Sequence, residues 1–285
     1  MPAIVGPRRW LAAFGLLGAA ALLPAVADPS SAPYTVIHGD WEQGGLLIAE
    51  TQPGSIVMFE GRRLKLTPEG QFVIGLDRDA KSSVELRLTT PGGTAFTEQR
   101  DVAPRRWDVQ PLTGIAPKFV DPPAKVQQRI AAEQVIIKAA RTRNSEIGDF
   151  ATPFIWPARG RISGIFGSQR VLNGKPKSPH YGVDVAVPTG TPLVAPAGGI
   201  VSLAEKNLYF TGGTVFIDHG HGLQSVMVHL SRLDVKVGQR VEQGQQIGLS
   251  GATGRVTGPH LHWGLYWFED RVDAQKHTGP MPGGG

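Results

Sequence analysis

Gly258-Pro259-His260-Leu261-His262-Trp263-Gly264-Leu265-Tyr266-Trp267 decides how this chain is read. Leu261, Trp263, Leu265 and Trp267 alternate with His260, His262 and Tyr266, the period-two pattern of a strand with one face buried. The opposite face carries two imidazoles two residues apart, ~6.6 Å along an extended strand. Both can reach one ion, or one can bind it while the other touches a water beside it.

Upstream, Ser178-Pro-His-Tyr-Gly-Val-Asp-Val-Ala-Val187 reads as a second strand. Val183, Val185 and Val187 form its apolar back and Asp184 points the other way. His180 lies four residues from Asp184, about 13 Å if the chain is extended, whereas zinc bonds to His and Asp are only about 2.0–2.2 Å long. One ion can bind both only if the chain bends between them, and Gly182 is the residue expected to permit it. A third alternating segment, Leu223 to Leu230, ends with His229, which the alternation places on the face of Met227 and Ser225. A spaced His/Asp pair plus a His-X-His strand offers three protein ligands, the number a catalytic zinc needs when one position stays open for water. Two further histidines remain to move protons.

Composition narrows the chemistry around this constellation. The chain has 285 residues, 41% hydrophobic and 19% charged, which fits one to three globular domains. Its 37 glycines and 23 prolines argue for short strands and tight turns rather than a helical bundle. Cysteine is absent, which excludes a disulfide, a thiolate nucleophile, a Cys-ligated zinc finger and a lipidated cysteine. Five of the eight histidines lie between residues 219 and 262, so metal chemistry here must use His and carboxylate. No His-Glu-X-X-His helix, Gly-X-Ser-X-Gly elbow or phosphate-binding Gly-Lys-Ser/Thr loop occurs. Val235, Gly238, Val241 and Gly244 suggest a biotinyl or lipoyl carrier, but no acceptor lysine sits in a suitable turn.

From about Gly160 to Asp273 the sequence resembles the lysostaphin/LytM-type zinc metallopeptidases, which cut peptide cross-links of bacterial peptidoglycan. The matching runs are His180-Tyr-Gly-Val-Asp184, Gly190-Thr-Pro-Leu-Val-Ala-Pro-Ala-Gly-Gly-Ile-Val201 and Ile217-Asp-His-Gly-His-Gly222. They continue with Val228-His-Leu-Ser231 and Val237-Gly-Gln-Arg-Val-Glu-Gln-Gly-Gln-Gln-Ile-Gly248, leading into Gly258-Pro-His-Leu-His-Trp263. The resemblance implies a compact antiparallel β domain whose groove is floored by the sheet bearing these residues. It implies one Zn2+ per chain held by His180, Asp184 and His262, with His229 and His260 as catalytic imidazoles assisting a zinc-activated water. It also marks a departure: many relatives have Tyr where Met227 stands, leaving Tyr181, Tyr209 or Tyr266 to replace it. His219 and His221 form another His-X-His pair in a Gly-rich turn, and the resemblance makes His219 structural. Relatives that lose metal ligands regulate other wall hydrolases, so a non-catalytic regulator of the same fold is the alternative function; cleavage of secreted protein is a further target.

The flanking segments complete the expected organisation, mainly β throughout. Residues 1–27, with Arg8 and Arg9, an apolar run from Trp10 to Leu23 and Ala25-Val26-Ala27, have the layout of a secretory signal peptide; an uncleaved membrane anchor is the competing reading. Removal of Arg8 and Arg9 would take the net charge from +5 to +3. Export without a lipid anchor implies the periplasm, with peptidoglycan cross-link peptides as partner, no nucleic acid, and no stable membrane association after cleavage. Residues 34–103 read as a β-sandwich-like module of short strands between Pro/Gly turns, loosely like exported immunoglobulin- or transthyretin-like modules; His38 and Trp41 there are read as structural. Residues 104–150 form a linker with a helix over 123–145, residues 151–273 the metallopeptidase-like domain, and 274–285 a disordered tail. The module and helix are candidates to cover the groove, anchor the chain to the wall, or act as spacers. A regulatory protein would be a further partner, one that the sequence does not identify.

Overall fold

The computed structural model describes residues 32–112, 124–172 and 174–282, so the signal-peptide reading of 1–27 lies outside the described residues. The first strands are β1 (Tyr34–His38), β2 (Leu46–Thr51), β3 (Ile56–Phe59), β4 (Arg62–Arg63), β5 (Gln71–Gly75), β6 (Ser83–Thr89) and β7 (Ala95–Asp101). They make two sheets, ordered β1-β2-β5 and β4-β3-β6-β7. β6 shows the sequence logic: Val84, Leu86 and Leu88 are buried while Arg87 between them is exposed, as in a strand with one face toward a core. β2 and β5 are instead buried along nearly their whole length, because their second face meets the rest of the protein. There, a side chain on Gly75 would collide with Trp267, its Cβ only 2.5 Å from that of the tryptophan.

After β8 (Val109–Leu112) comes the helix α1 (Ala124–Arg141), shorter than expected at its C-terminal end. The C-terminal domain follows with β9 (Arg161–Gly164), β10 (Gln169–Leu172), β11 (Lys175–Pro176), β12 (Val183–Ala186), β13 (Pro192–Val194), β14 (Gly199–Leu208) and β15 (Gly212–Gly220). It continues with β16 (Leu223–Leu230), β17 (Arg232–Leu233), β18 (Arg240–Val241), β19 (Gln246–Leu249), β20 (Leu261–Trp267) and β21 (Asp270–Val272). The central sheet runs β18-β14-β15-β16-β20-β12-β9, antiparallel throughout, with β21 also beside β20. β13, β19 and β17 form a small second sheet, and β8 joins β10 in parallel.

Leu261, Trp263, Leu265 and Trp267 face one core, shared with the N-terminal strands, as the alternation in β20 demands. The opposite face of the same sheet carries Phe216, Val226, Val228 and Tyr266, and α1 covers it with Ile137 and Ala140. This explains why all eight residues of β16 are buried. The N-terminal module packs on the core side, where Phe59 meets Trp267 with ring centroids 5.8 Å apart.

The segment expected to be a disordered tail is ordered over 274–282. α2 (Ala274–Thr278) is capped by the Asp273 carboxylate, which accepts from the Gln275 amide at 3.1 Å. Trp156 Nε1 donates to the Gly279 carbonyl at 3.2 Å. His277 anchors the helix: it is 6% exposed and its ring lies edge-on to Phe154 and His38, each with centroids 4.7 Å away. The Phe154 ring also meets His219, 4.8 Å away and fully buried. The Gly/Pro-rich composition concealed this, because one buried aromatic outweighs several turn residues.

Burial pushes His219 down to about 4 and His277 down to about 3, so both are neutral when folded. The unfolded chain takes up protons near pH 6.5 and the folded chain does not, so stability falls as pH drops from about 6.5 to about 4 for His219 and to about 3 for His277. At pH 5 the expected loss is about 2 kcal/mol for each histidine relative to pH 7. In urea unfolding, the stability difference between the wild type and His277→Phe should shift by about that amount between pH 7 and pH 5, in favour of the variant. A pH-independent difference would show that His277 is not held neutral.

Candidate metal centre

Asp184 on β12 pairs directly with His262 on β20, so their side chains stand side by side on one face of the sheet. His180 precedes β12 and reaches the same point because the chain bends at Gly182. Gly182 does not have a left-handed backbone; what the site needs there is the absence of a side chain. A Cβ on Gly182 would lie 2.7 Å from His262 Nε2 and 2.6 Å from the Trp263 carbonyl oxygen.

Three donor atoms converge as a result. His180 Nε2 is 3.0 Å from Asp184 Oδ1 and 2.9 Å from His262 Nδ1, and His262 Nδ1 is 2.9 Å from Asp184 Oδ1. Two imidazole nitrogens and a carboxylate oxygen suit zinc. A tetrahedral ion with bonds of about 2.0–2.1 Å requires ligand atoms about 3.3 Å apart, so this triangle needs to open by only a few tenths of an ångström. Burial alone would raise the Asp184 carboxyl, but its contacts with the His180 and His262 imidazoles outweigh it and hold the group well below the usual carboxylate range. The His180 Nδ1–H donates to the Ile165 carbonyl at 2.9 Å, which turns Nε2 toward the cluster.

His260 and His229 stand beside this cluster. His260 Nε2 is 3.8 Å from Asp184 Oδ1, and its Nδ1–H donates to the Gly258 carbonyl at 2.9 Å. The His229 Nδ1–H donates to the Thr253 carbonyl at 2.8 Å. The ring of His229 lies 4.9 Å from that of His260 and 6.4 Å from that of His262. Strand alternation places His229 with Met227 and Ser225, and that expectation is corrected: Met227 faces the core, whereas His229 faces the cluster. The cause is a left-handed backbone at His229, φ +67°, which turns the side chain over at a cost of about 1–2 kcal/mol for a non-glycine residue. Burial pushes His229 down to about 4 against the pull of the Thr253 carbonyl, and the neighbouring His260 and His262 push the same way.

The other candidates lie elsewhere. His219 donates from Nδ1 to the Gly198 carbonyl and accepts at Nε2 from Ser225 Oγ, both on the core side. His221 packs against Phe150, centroids 4.5 Å apart. Tyr266 lies under α1, stacked on Phe216; Tyr181 packs against Arg271; and Tyr209 packs against Phe210. Sequence reading could not find Ile165, Thr253 and Gly258 as the groups orienting the imidazoles, because they act through backbone carbonyls that any residue type supplies.

With this geometry in hand, comparison with known proteins is specific. Residues 178–274 match the sequence profile of peptidase family M23. The peptidoglycan DD-endopeptidase ShyA of Vibrio cholerae is 43% identical over 125 residues, 44% of this chain and 29% of the relative. The cell division protein DipM of Caulobacter vibrioides is 33% identical over 142 residues, 50% of this chain and 22% of the relative. The match thus spans less than a third of the length of these curated relatives. A crystal structure from Pseudomonas aeruginosa assigned to peptidase M23 is 31% identical, covers 84% of this chain and 96% of that one, and superimposes with a TM-score of 0.65. That likeness extends beyond the histidine-bearing sheet into the N-terminal strands, and with it the chain belongs to peptidase family M23.

Proposed function

We propose that this protein is an exported zinc-dependent endopeptidase that hydrolyses the peptide cross-links of bacterial peptidoglycan. The triangle of His180 Nε2, Asp184 Oδ1 and His262 Nδ1, with sides of 2.9–3.0 Å, is the observation that carries it. These three atoms would hold one ion. Bound there, zinc supplies Lewis acidity, which lowers the pKa of a water toward ~7 and polarises a carbonyl. His229, neutral at pH 7, accepts a proton at Nε2, because its Nδ1–H is committed to the Thr253 carbonyl. His260 is oriented in the same way by Gly258 and shares the proton traffic, steadying developing negative charge or protonating the leaving amine when it carries a proton. The substrate class rests on the relatives named peptidoglycan DD-endopeptidases. Export and a periplasmic location rest on the leader sequence; among the described residues no helix is long and apolar enough to cross a membrane.

Digestion of purified sacculi by the zinc-loaded protein, followed by mass spectrometry of the soluble products, tests the proposal. Cross-linked dimers should give way to monomers, with chelator abolishing the change. Binding to sacculi without cleavage would instead assign the chain as a regulator, and cleavage confined to secreted proteins would move the target.

A further inference from the structure

Arg78 belongs to the N-terminal module, yet its guanidinium serves the C-terminal domain. It leaves the turn after β5 and is only 6% exposed. Its Nε donates to the Gly167 carbonyl at 2.9 Å, Nη1 donates to the Asp79 carboxylate at 2.6 Å, and the guanidinium carbon lies 5.1 Å from the Trp107 ring centroid. A buried guanidinium is costly unless its donors are spent, and here one is spent on a single backbone carbonyl far away in sequence.

That carbonyl belongs to the segment that holds His180. The Gly167 amide donates to the His180 carbonyl at 2.8 Å, the His180 amide donates to the Ser168 carbonyl at 2.7 Å, and the Ile165 carbonyl accepts from the His180 ring. The linker grips the same segment. Trp107 lies so close that a Cβ on Gly167 would be 2.0 Å from its ring, its centroid is 5.7 Å from that of Phe166, and the Gln169 amide donates to the Asp108 carbonyl at 2.8 Å. Asp184 and His262 are fixed by direct pairing of β12 with β20. His180 lies outside any strand, and both its backbone and its ring are bonded to the 165–168 segment.

We infer that Arg78, with Trp107, is a positioning residue that clamps the 165–168 segment and thereby holds the His180 imidazole in the metal triangle. The N-terminal module then completes the metal centre from behind, a role distinct from covering the groove, anchoring to the wall or spacing. This rests on the assignment of His180 as a ligand. A planar guanidinium both donates in a fixed direction and stacks on an indole, which an ammonium does not do equally well.

The test is zinc affinity of the metal-free full chain, measured by chelator competition. Arg78→Ala should bind zinc about 10–100-fold more weakly, the usual effect of losing a group that orients a ligand, and Trp107→Ala should act in the same direction. Arg78→Lys should fall between Arg78→Ala and the wild type. Arg62→Ala is the control: Arg62 joins the same two parts of the protein at a different point, 4.0 Å from the Phe268 ring centroid and 5.7 Å from that of Trp267. It should lower thermal stability and leave zinc affinity at the wild-type value. Arg78→Ala affinity within about twofold of wild type, or an equal loss in Arg62→Ala, overturns the inference. If Arg78→Ala does not fold, Trp107→Ala and Arg78→Lys carry the same two outcomes. A wild type that binds no zinc overturns the functional reading as well, and so is told apart from failure of the clamp alone.

Discussion

His180→Ala and His262→Ala are each expected to lose stoichiometric zinc and all measurable cleavage while keeping the β fold. Each removes one corner of a triangle whose sides are 2.9–3.0 Å, and two remaining donors hold zinc poorly when a catalytic site uses three. The fold should survive because the cluster sits on the sheet face opposite the apolar core, and Asp184 is still paired with the other imidazole. Elemental analysis should fall from one zinc per chain to near zero in both variants, with near-UV circular dichroism unchanged. Full occupancy in both would remove His180 and His262 from the ligand set.

The second large effect separates holding the metal from moving protons. His229→Ala and His260→Ala should keep zinc and lose turnover by roughly 10²–10⁴-fold, the usual contribution of a positioned acid–base group. His260 is the sharper case, since its Nε2 already lies 3.8 Å from Asp184 Oδ1; loss of zinc in His260→Ala would make it a ligand. His229→Asn is informative beside His229→Ala. Asparagine tolerates the left-handed backbone better than alanine, so the Asn variant should be the more stable of the two while remaining as inactive.

The strand alternation made His262, Asp184 and the core residues Trp263 and Trp267 legible, because period two fixes which face a side chain takes. It did not reach His180, whose position depends on a bend, except through the bond-length argument that one ion cannot span about 13 Å. The same alternation misplaced His229, since a single left-handed residue reverses the face and nothing in Val228-His229-Leu230 announces it. The tail over 274–282 was misread because composition weighs Gly and Pro but cannot show that His277 fits between Phe154 and His38. Arg78 was invisible as a contributor. Its partner is a carbonyl 89 residues away, and no local pattern encodes that distance.

The shared core has a practical consequence for anyone wishing to dissect this protein. A single cluster of buried side chains runs from Leu47 and Phe72 through to Trp267 and Val272. The two halves are therefore not separable modules in the engineering sense: a fragment beginning at 151 would expose the indole of Trp267 and lose the Phe59 contact. Melting should register as one cooperative transition rather than two, and slow activity in such a fragment would report damage to the fold before it reported loss of a wall anchor. Point substitutions at the boundary, which leave the chain intact, are the cleaner instrument.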